Sequence, residues 1–567
     1  MKKIVLCFGV LIVLNGCTSS QGDNKALPQK HGLITSNAMV VSARKEVSQI
    51  GVQILKQGGN AFDAMMAIEM ALAVTYPVAG NLGGGGFMVY RLENGDTGTL
   101  DYREKAPLQS TKTMYLNAKG NVIKHKSRYG AYAVAVPGTI AGIFEAQQKF
   151  GLLNPKEILQ PVIELAQRGY VITAKQAKRF ATHDSLLQLV NGKSILYKKG
   201  LKAGDTIKNI ALANTLSRIA NYGVQEFYFG ETAQKLIDFI RQKGGILSLE
   251  DLQTYKPKWR APISFEYDDL KITSMGPPSS GGICLNQIMN MIEPFDLGDY
   301  GHHSAKAIHV IAEAERRSYA DRSFYLGDPD FINIPMDTLQ SENYTERRMQ
   351  SFRFNSATPS STMAHGQIYG FESEETTHYS IVDQFGNAVS ATTTINSAYG
   401  SKLFVDELGF FLNNEMDDFS SKPGSPNLYG LIGAEANSIA PEKRMLSSMT
   451  PTIIEKQGEL FMVVGTPGGS TIITSVLQSI LNVHEYGMCM QEAVNAPRFH
   501  HQWLPDEIRM EPNGFDMQVK TQLETLGHII NESRTPVIGK VDAILVLEDK
   551  RLEAGADYRG DDTAVGF

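Results

Sequence analysis

The sequence predicts a protein of the α+β class, because helical and strand patterns both recur along its 567 residues. Apolar residues at helical spacing predict a helix over 45–57, and Asn60 is expected to cap a second helix that ends near Ala73. Further helices are predicted between Pro137 and Lys243. Strands are predicted at residues 39–41, 87–92 and 460–464. Length alone favours three or four domains, but no repeat, low-complexity tract or long linker separates them.

Composition and charge restrict the class of partner. With 42% hydrophobic residues the chain can bury a large core, and its formal net charge is -6. Outside the N-terminus, lysine and arginine form no run of more than a few residues, so the basic surface typical of nucleic-acid-binding proteins is missing. We therefore expect a small or neutral partner and no nucleic acid.

Residues 1–16 have the layout of a cleaved secretory signal, in which two lysines precede an apolar run too short to span a bilayer. The run ends in Leu-Asn-Gly-Cys at residues 14–17, which resembles a bacterial lipoprotein box. The sequence thus predicts an exported, periplasmic protein. Either Cys17 carries a lipid anchor, which we favour, or the signal is simply removed and Cys17 has no role. Residues 17–31 would form a flexible tether.

Cysteine and histidine usage predicts neither a disulfide nor a metal centre. Beyond the predicted signal and tether, only Cys284 and Cys489 occur, and both lie in apolar stretches that favour two buried thiols. None of the 12 histidines shows a His-Glu-x-x-His or comparable ligand spacing. The adjacent His500 and His501 suit structural hydrogen bonds, so we expect no metal and no cofactor.

Three stretches in the first part of the chain are candidate sites. Residues 80–86 are rich in glycine, but a strand is predicted after them where a phosphate loop needs a helix. Arg103 follows a strand, where an arginine is either solvated or binds an anion. Ser279 and Ser280 lie in a predicted turn without the Gly-x-Ser-x-Gly pattern of a nucleophile, so a loop role is favoured.

The second part of the chain contains more candidate binding and catalytic residues than the first. Residues 412–419 gather three carboxylates, which would suit a hard cation, a substrate ammonium or a solvated turn. Ser447 and Ser448 precede a predicted strand and by themselves indicate turn chemistry. Gly468 and Gly469 lie at a strand-to-helix turn, where backbone N–H groups can converge as an oxyanion hole requires.

Residues 374–396 contain a polar, acidic loop that ends on Thr376 and Thr377, followed by a predicted β-hairpin. A threonine hydroxyl in mid-chain is a poor nucleophile because no base lies beside it. An N-terminal threonine has its own α-amine, whose pKa is about 7.7–8.0, as the base. Cleavage before Thr376 would therefore create nucleophile and base together.

These motifs, taken in order, resemble the γ-glutamyltranspeptidase family of N-terminal-nucleophile hydrolases. The resemblance extends from about Gly32 to the end of the chain, and its further matching stretches are 101–104, 136–139, 277–282, 320–322 and 495–503. It implies a four-layer αββα sandwich made jointly by two chains from one precursor. Cleavage between Glu375 and Thr376 would give a large subunit, 32–375, and a small subunit, 376–567, that stay together as a heterodimer.

The resemblance also implies a role for each matched residue. Thr376 would be the nucleophile, Thr394 would orient it, and Gly468 and Gly469 would form the oxyanion hole. The residues that would hold the α-carboxylate of the donor are Arg103, Ser447 and Ser448, and those that would hold its α-ammonium are Asn396, Glu415 and Asp418. Tyr429 would gate the site from a lid loop at 425–430. The expected donor is glutathione or another γ-glutamyl compound, and the acceptor is water, an amino acid or a dipeptide.

Three alternatives stay open. The first is a same-fold cephalosporin (glutaryl) acylase or a poly-γ-glutamate-processing enzyme. The second is a non-catalytic solute-binding lipoprotein, and the third is an uncleaved, inactive homologue. Two departures from the family pattern are Glu375, expected to slow self-cleavage where bacterial members often carry an uncharged residue, and Met445, where a proline is common.

Overall fold

The computed structural model describes residues 30–363, 376–422, 435–533 and 536–567. The predicted signal, most of the tether with Cys17, Glu375 and the predicted lid with Tyr429 lie outside the described residues. Within these ranges, no helix is both long enough and apolar enough to cross a bilayer.

Two antiparallel sheets of seven strands each form the centre of the molecule. The first sheet has the strand order Thr563–Gly566, Met39–Ser42, Thr376–Val382, Ala388–Thr394, Gly85–Arg91, Thr97–Asp101 and Lys258–Arg260. The second sheet has the order Ile34–Thr35, Leu552–Ala556, Asp542–Val546, Glu459–Gly465, Thr452–Lys456, Leu270–Ser274 and Ile263–Tyr267. Each sheet therefore combines strands from before and after residue 376.

Helices cover the outer face of each sheet. Those in the first part of the chain, which pack on the first sheet, are Lys45–Lys56, Ala61–Thr75, Thr139–Phe150, Pro155–Arg168, Ala174–Asn191, Ile210–Tyr222, Val224–Tyr228, Glu231–Gln242 and Leu249–Thr254. The others are Gly281–Ile292, Leu297–Tyr300, Ala305–Tyr325, Met336–Leu339, Glu342–Met349, Thr471–His484, Met490–Asn495 and Met517–Thr525. The order helix, sheet, sheet, helix confirms the expected αββα sandwich.

Strand alternation explains why both faces of each sheet are buried. In Gly85–Arg91, Phe87 and Val89 point into the core between the sheets, whereas Met88 and Tyr90 point into the core beneath the first helix layer. Val463 of the second sheet likewise packs between the sheets, and its neighbour Val464 packs under the other helices. Alternate side chains of one strand therefore lie in two different cores. Because both faces of the strand are buried, its sequence is a continuous apolar run.

Short minor pairs complete the secondary structure. Their bounds are Tyr170–Val171 with Thr206–Ile207, Phe404–Val405 with Phe410–Phe411, and Phe499–His500 with Ile508–Met510 and Ile530–Asn531. The main predicted elements agree with the structure to within one or two residues. The expected cap is also present, since the Asn60 side chain accepts from the N–H groups of Phe62 and Asp63 at 3.0 and 3.2 Å.

The predicted hairpin is present as Thr376–Val382 paired with Ala388–Thr394, and Asp383 organises its turn. Asp383 Oδ1 accepts from the N–H groups of Phe385 and Asn387, both at 2.9 Å. Its Oδ2 accepts from Ala61 N at 2.8 Å, which ties the turn to the first turn of the buried helix Ala61–Thr75. One carboxylate therefore joins the hairpin to its covering helix.

We expect Asp383→Ala to destabilise the folded protein by about 1–3 kcal/mol, because it leaves the buried N–H of Ala61 without its acceptor. The measurement is the melting temperature followed by differential scanning fluorimetry. Asp406→Ala is the matched control, since Asp406 is a partly exposed turn residue that forms an ion pair with the exposed Lys193. Equal melting temperatures for the two variants would contradict this role of Asp383.

Candidate active site

The hairpin places two of the predicted residues opposite each other. Thr376 is the first residue of its strand, and its Cα partner on the neighbouring strand is Thr394. Side chains of directly paired residues stand about 4.5–5.5 Å apart on the same face of a sheet. Both threonines are buried. The fold thus brings the proposed nucleophile and its proposed orienting hydroxyl together through backbone pairing alone.

Asn396 fixes the hydroxyl of Thr394. The backbone N–H of Asn396 donates to Thr394 Oγ1 at 2.7 Å, so this oxygen already accepts one hydrogen bond. Asn396 has φ 69°, a left-handed conformation that asparagine adopts more readily than most residues. Its side chain donates to the carbonyl of Asn414 at 3.0 Å, which ties the end of the hairpin to the acidic run.

The glycine-rich stretch at 80–86 allows close backbone approach at this place. A Cβ at Gly84 would lie 2.0 Å from the carbonyl oxygen of Thr394. A Cβ at Gly85 would lie 2.6 Å from Glu104 Oε2. The strand Gly85–Arg91 begins here, as predicted, so the glycines are needed for packing between Thr394 and Glu104.

Arg103 occupies the centre of a group of carboxylates. Its side chain is 1% exposed, and Nη1 lies 2.7 Å from Glu415 Oε2 while Nη2 lies 2.6 Å from Asp418 Oδ2. Asp101 Oδ1 accepts from the backbone N–H of Arg103 at 2.9 Å and so fixes the chain at this point. The solvated-arginine alternative is therefore wrong, and the acidic run is a buried partner of Arg103 rather than a solvated turn.

Burial changes the protonation of this group. Burial by itself lowers the pKa of Arg103, but the nearby carboxylates raise it more, so the net shift is upward. These carboxylates belong to Glu415, Asp418 and Glu104. Burial raises the pKa of Glu415 well above its ordinary value, against the attraction of Arg103. Glu104 lies 3.6 Å from Arg103 Nη1, too far for a hydrogen bond, and burial outweighs this attraction and raises its pKa to about 8.

A second layer of side chains holds the acidic run in place. Asn413 Oδ1 accepts from Ala135 N at 2.9 Å and from Glu415 N at 3.1 Å, and its Nδ2 donates to the carbonyl of Gly83 at 2.8 Å. Asp417 turns away from Arg103 and accepts from Ser127 Oγ. Glu415 and Asp418 therefore face Arg103, whereas Asp417 has a structural role.

Ser447 and Ser448 are positioned by a loop from the first part of the chain. Ser280 Oγ donates to the carbonyl of Ser447 at 2.8 Å, and Ser279 Oγ donates to the carbonyl of Met449 at 2.7 Å. Arg322 donates to Ser448 Oγ at 2.8 Å. The predicted loop role of Ser279 and Ser280 is confirmed, since both hydroxyls bond backbone carbonyls.

Gly468 and Gly469 form the turn between the strand Glu459–Gly465 and the helix Thr471–His484. Their φ angles are 141° and 56°, both in the region that favours glycine. The carbonyl of Ser470, the next residue, accepts from the hydroxyl of Tyr319, which anchors the turn to the helix Ala305–Tyr325. The turn is therefore held in a conformation that a residue with a Cβ would adopt only with strain.

Residues from these segments line one small cavity. The residues that line it are Arg103, Thr376, Thr394, Asn396, Glu415, Asp418, Ser447, Ser448, Met449, Gly469 and Ile472. Thr376 and Thr394 come from the first sheet, the others come from loops, helical turns and the helix Thr471–His484, and Arg103 is the lining residue that precedes Thr376. Of the predicted site residues inside the described ranges, Gly468 alone does not line this cavity, and it lines the neighbouring cleft instead.

The other sequence expectations have mixed outcomes. His500 is hydrogen-bonded to Thr474 at 2.9 Å and to Gln502 at 3.0 Å, as expected for a structural histidine. Cys284 and Cys489 are not bonded to each other, as predicted. The expectation that both thiols are buried is wrong for Cys489, because it lies at the edge of the fold and donates to the carbonyl of Lys30.

Sequence reasoning assigned no function to Glu104, Asn413 or Arg322. Asn413 and Arg322 contact residues far away in the chain, and side-chain contacts of this kind leave no periodic pattern. Glu104 acts on its neighbour Arg103, but its burial depends on the packing of distant segments. The signals that could have found them are the acidic neighbour of Arg103, the paired asparagines before Glu415, and an arginine inside an otherwise buried helix. Such residues are expected to be partnered when buried.

A family model described as Gamma-glutamyltranspeptidase matches residues 47–567. A relative named "Glutathione hydrolase proenzyme" from Escherichia coli is 45% identical over 542 residues, which cover 95% of this chain and 93% of the relative. A relative named "Acylase ACY 1 proenzyme" from Pseudomonas sp. (strain SE83) is 34% identical over 541 residues and 94% of each chain. The chain is thus similar to two kinds of proenzyme.

Two solved structures are similar to the fold. The crystal structure of Helicobacter pylori gamma-glutamyltranspeptidase is 40% identical, with a TM-score of 0.57, and the match covers 60% of this chain and 97% of that one. The cephalosporin acylase from Bacillus halodurans has a TM-score of 0.84 over 98% of this chain and 99% of that one, at 24% identity. The second likeness is one of fold only.

The buried position of Glu104 leads to a pH prediction. The folded protein keeps a proton on this carboxyl up to a pKa of about 8, whereas the unfolded chain loses it near the ordinary value of 4.5. Its protonation therefore stabilises the fold at low pH, and this contribution is lost as the pH rises from about 4.5 to about 8. Glu104→Gln cannot lose a proton, so its melting temperature relative to wild type should rise across this range.

The measurement is the difference in melting temperature between variant and wild type at several pH values from 5 to 9. Glu93→Gln, at an exposed position, is the control and should give a difference that does not change with pH. A constant difference for Glu104→Gln as well would contradict the protonated state of Glu104.

Proposed function

This chain belongs to the γ-glutamyltranspeptidase family, and we propose that it transfers the γ-glutamyl group of glutathione and related compounds to water or to an amine. The enzyme is an N-terminal-nucleophile hydrolase that is made as a proenzyme. The observation that carries the specific proposal is the cavity in which Thr376 adjoins Arg103, Glu415 and Asp418. A nucleophile here lies beside fixed charges of both signs, which is the arrangement that a zwitterionic donor needs.

The first chemical step is self-cleavage of the precursor. Thr376 Oγ attacks the carbonyl carbon of Glu375, the peptide C–N bond breaks, and an ester joins Glu375 to Thr376. Breaking the C–N bond frees the α-amine of Thr376, and water then hydrolyses the ester, which leaves a carboxylate on Glu375 and returns the hydroxyl of Thr376. The products are a large subunit, 32–375, and a small subunit, 376–567, which form a heterodimer.

In turnover, Thr376 Oγ attacks the γ-carbonyl carbon of the donor while the freed α-amine takes the hydroxyl proton. The N–H groups of Gly468 and Gly469 stabilise the oxyanion, and the α-ammonium returns the proton to the leaving amine. The γ-glutamyl ester of Thr376 then reacts with water or with an amino acid or dipeptide amine. Thr394, whose oxygen accepts from Asn396 N–H, orients the nucleophile.

Donor recognition uses the charges that pair with each other in the described structure. The α-carboxylate of the donor bonds Arg103, together with Ser447 and Ser448, and the guanidinium suits a planar carboxylate. The α-ammonium bonds Asn396, Glu415 and Asp418. Because the donor brings one charge of each sign, the net charge of the buried site does not change when it binds.

The alternative function is that of a glutaryl acylase, and it is considered because one relative, 34% identical, is named an acylase. A glutaryl group has no α-ammonium, and it would leave Glu415 and Asp418 without the cation that they are placed to bind. A buried site built for a charged group rejects the analogue that lacks it. The carboxylates beside Arg103 therefore favour a γ-glutamyl donor, and they give no support to a non-catalytic solute-binding lipoprotein.

The remaining expectations concern residues outside the described ranges. Export to the periplasm, removal of residues 1–16 and lipid attachment to Cys17 are part of this proposal. So is a lid at 425–430 that carries Tyr429 over the site. They rest on the sequence patterns described above.

Thr376→Ala should remain a single chain and should have no activity, because both self-cleavage and turnover need its hydroxyl. The measurements are gel electrophoresis, N-terminal sequencing and release of p-nitroaniline from γ-glutamyl-p-nitroanilide. Thr377→Ala is the matched control and should still split, since the buried Thr377 hydroxyl has no hydrogen-bond partner among the described residues. A Thr376→Ala protein that still splits before residue 376 would disprove the mechanism.

Asp418→Asn should lower kcat/KM for γ-glutamyl-p-nitroanilide by about 10- to 100-fold, as expected when a charged hydrogen bond worth about 1.5–3 kcal/mol is lost. Activity on glutaryl-p-nitroanilide, which lacks the α-ammonium, should change little. Asp417→Asn is the matched control, because Asp417 faces Ser127 instead of Arg103. A wild-type enzyme that prefers the glutaryl compound would favour the acylase alternative.

A further inference from the structure

A second cleft adjoins the catalytic cavity at the glycine turn. Gly469 lines the catalytic cavity, and the preceding residue, Gly468, lines this cleft. The cleft is open to solvent and has a volume of about 420 Å³. A group bound at the glycine turn can therefore extend from one into the other.

The cleft is strongly basic. Five cationic side chains line it, namely Lys175, Lys178, Arg179, Lys540 and Arg559, and no carboxylate does so among the described residues. Acceptors in the surrounding protein hold some of them, and Arg179, for example, donates to the hydroxyl of Tyr76 at 3.3 Å. Arg559 bonds Glu511 at 2.5 Å, and Lys175 donates to the carbonyl of Tyr558 at 3.0 Å.

The charges come from two separate parts of the chain. Lys178 and Arg179 lie on the helix Ala174–Asn191, and the side chain of Lys178 is exposed. Lys540 lies just before the strand Asp542–Val546, and its backbone N–H donates to Thr466 Oγ1 at 2.8 Å. Thr466 precedes Pro467 and the two glycines, so the position of Lys540 is fixed relative to the glycine turn.

The dipeptide that leaves the donor must lie beside the glycine turn of Gly468 and Gly469. When the γ-carbonyl of glutathione lies at Gly468 and Gly469, its glutamyl end fills the catalytic cavity and its dipeptide end points out of it. That dipeptide ends in a carboxylate. We propose that the basic cleft, with Lys178 and Lys540 in its lining, binds the terminal carboxylate of the peptide part of the donor.

This proposal deepens the proposed function and rests on it. It also accounts for how an acceptor dipeptide would bind, since a carboxylate held in the cleft would place the dipeptide amine toward the glycine turn and the acyl-threonine. Release of the first peptide and binding of the acceptor would then use the same charges. An amine that lacks a carboxylate would gain nothing from the cleft.

The test compares two donors that differ only in this charge, glutathione and its C-terminal amide. We expect the wild type to have a several-fold higher kcat/KM for glutathione. Lys178→Gln and Lys540→Gln should each lower the ratio of the two kcat/KM values by roughly two- to fivefold, the usual effect of one exposed ion pair. The double variant should bring the ratio close to one, and 0.5 M NaCl should lower it in the wild type.

Lys198→Gln is the matched control, because Lys198 is an exposed lysine that does not line the cleft. Gel electrophoresis of each variant shows that it is processed. A wild type that does not distinguish the two donors, or a double variant that keeps the wild-type ratio, would overturn the proposal. A wild type that cleaves neither donor would instead contradict the proposed function itself.

Discussion

The antiparallel pairing of Thr376 with Thr394 is the constraint on which the rest of the site depends. It sets the distance between two hydroxyls through backbone hydrogen bonds, so no side chain has to hold the nucleophile from outside. The strand of Thr376 is an inner strand of its sheet, between Met39–Ser42 and Ala388–Thr394. Its Ser380 also donates to the carbonyl of Asp542 in the other sheet at 3.0 Å. Movement of the nucleophile would disturb both sheets.

Around this pair, the proposed specificity for the donor depends on buried charges. A buried arginine is costly unless it is paired, and here Glu415 and Asp418 pair it when no substrate is present. A ligand gains from this site only if it replaces both partners at once, with an anion for the arginine and a cation for the carboxylates. A simple acid supplies the anion without the cation, and an apolar amide supplies neither.

The sequence allowed good prediction where a local pattern decides the outcome. The Asn60 cap, the hairpin after Thr376 and the glycine turn at Gly468 each follow from neighbouring residues. Residue roles came from the resemblance to a family. The contacts of Asn413 and Arg322 could not be predicted, because they join residues that are 330 and 126 positions apart in the chain. The partial exposure of Cys489 depends on how the N-terminal segment packs, which hydropathy does not encode.

The way the two sheets combine strands from both sides of residue 376 has a consequence for the processed enzyme. The proposed cleavage before Thr376 would break one covalent bond, and neither the strand pairs nor the cores of the described residues depend on that bond. Subunit separation would therefore be a form of unfolding, with the cooperativity and slow rate of a folding transition. Dilution would not bring it about. The break changes the chemistry of one terminus and leaves the architecture that the intact chain built.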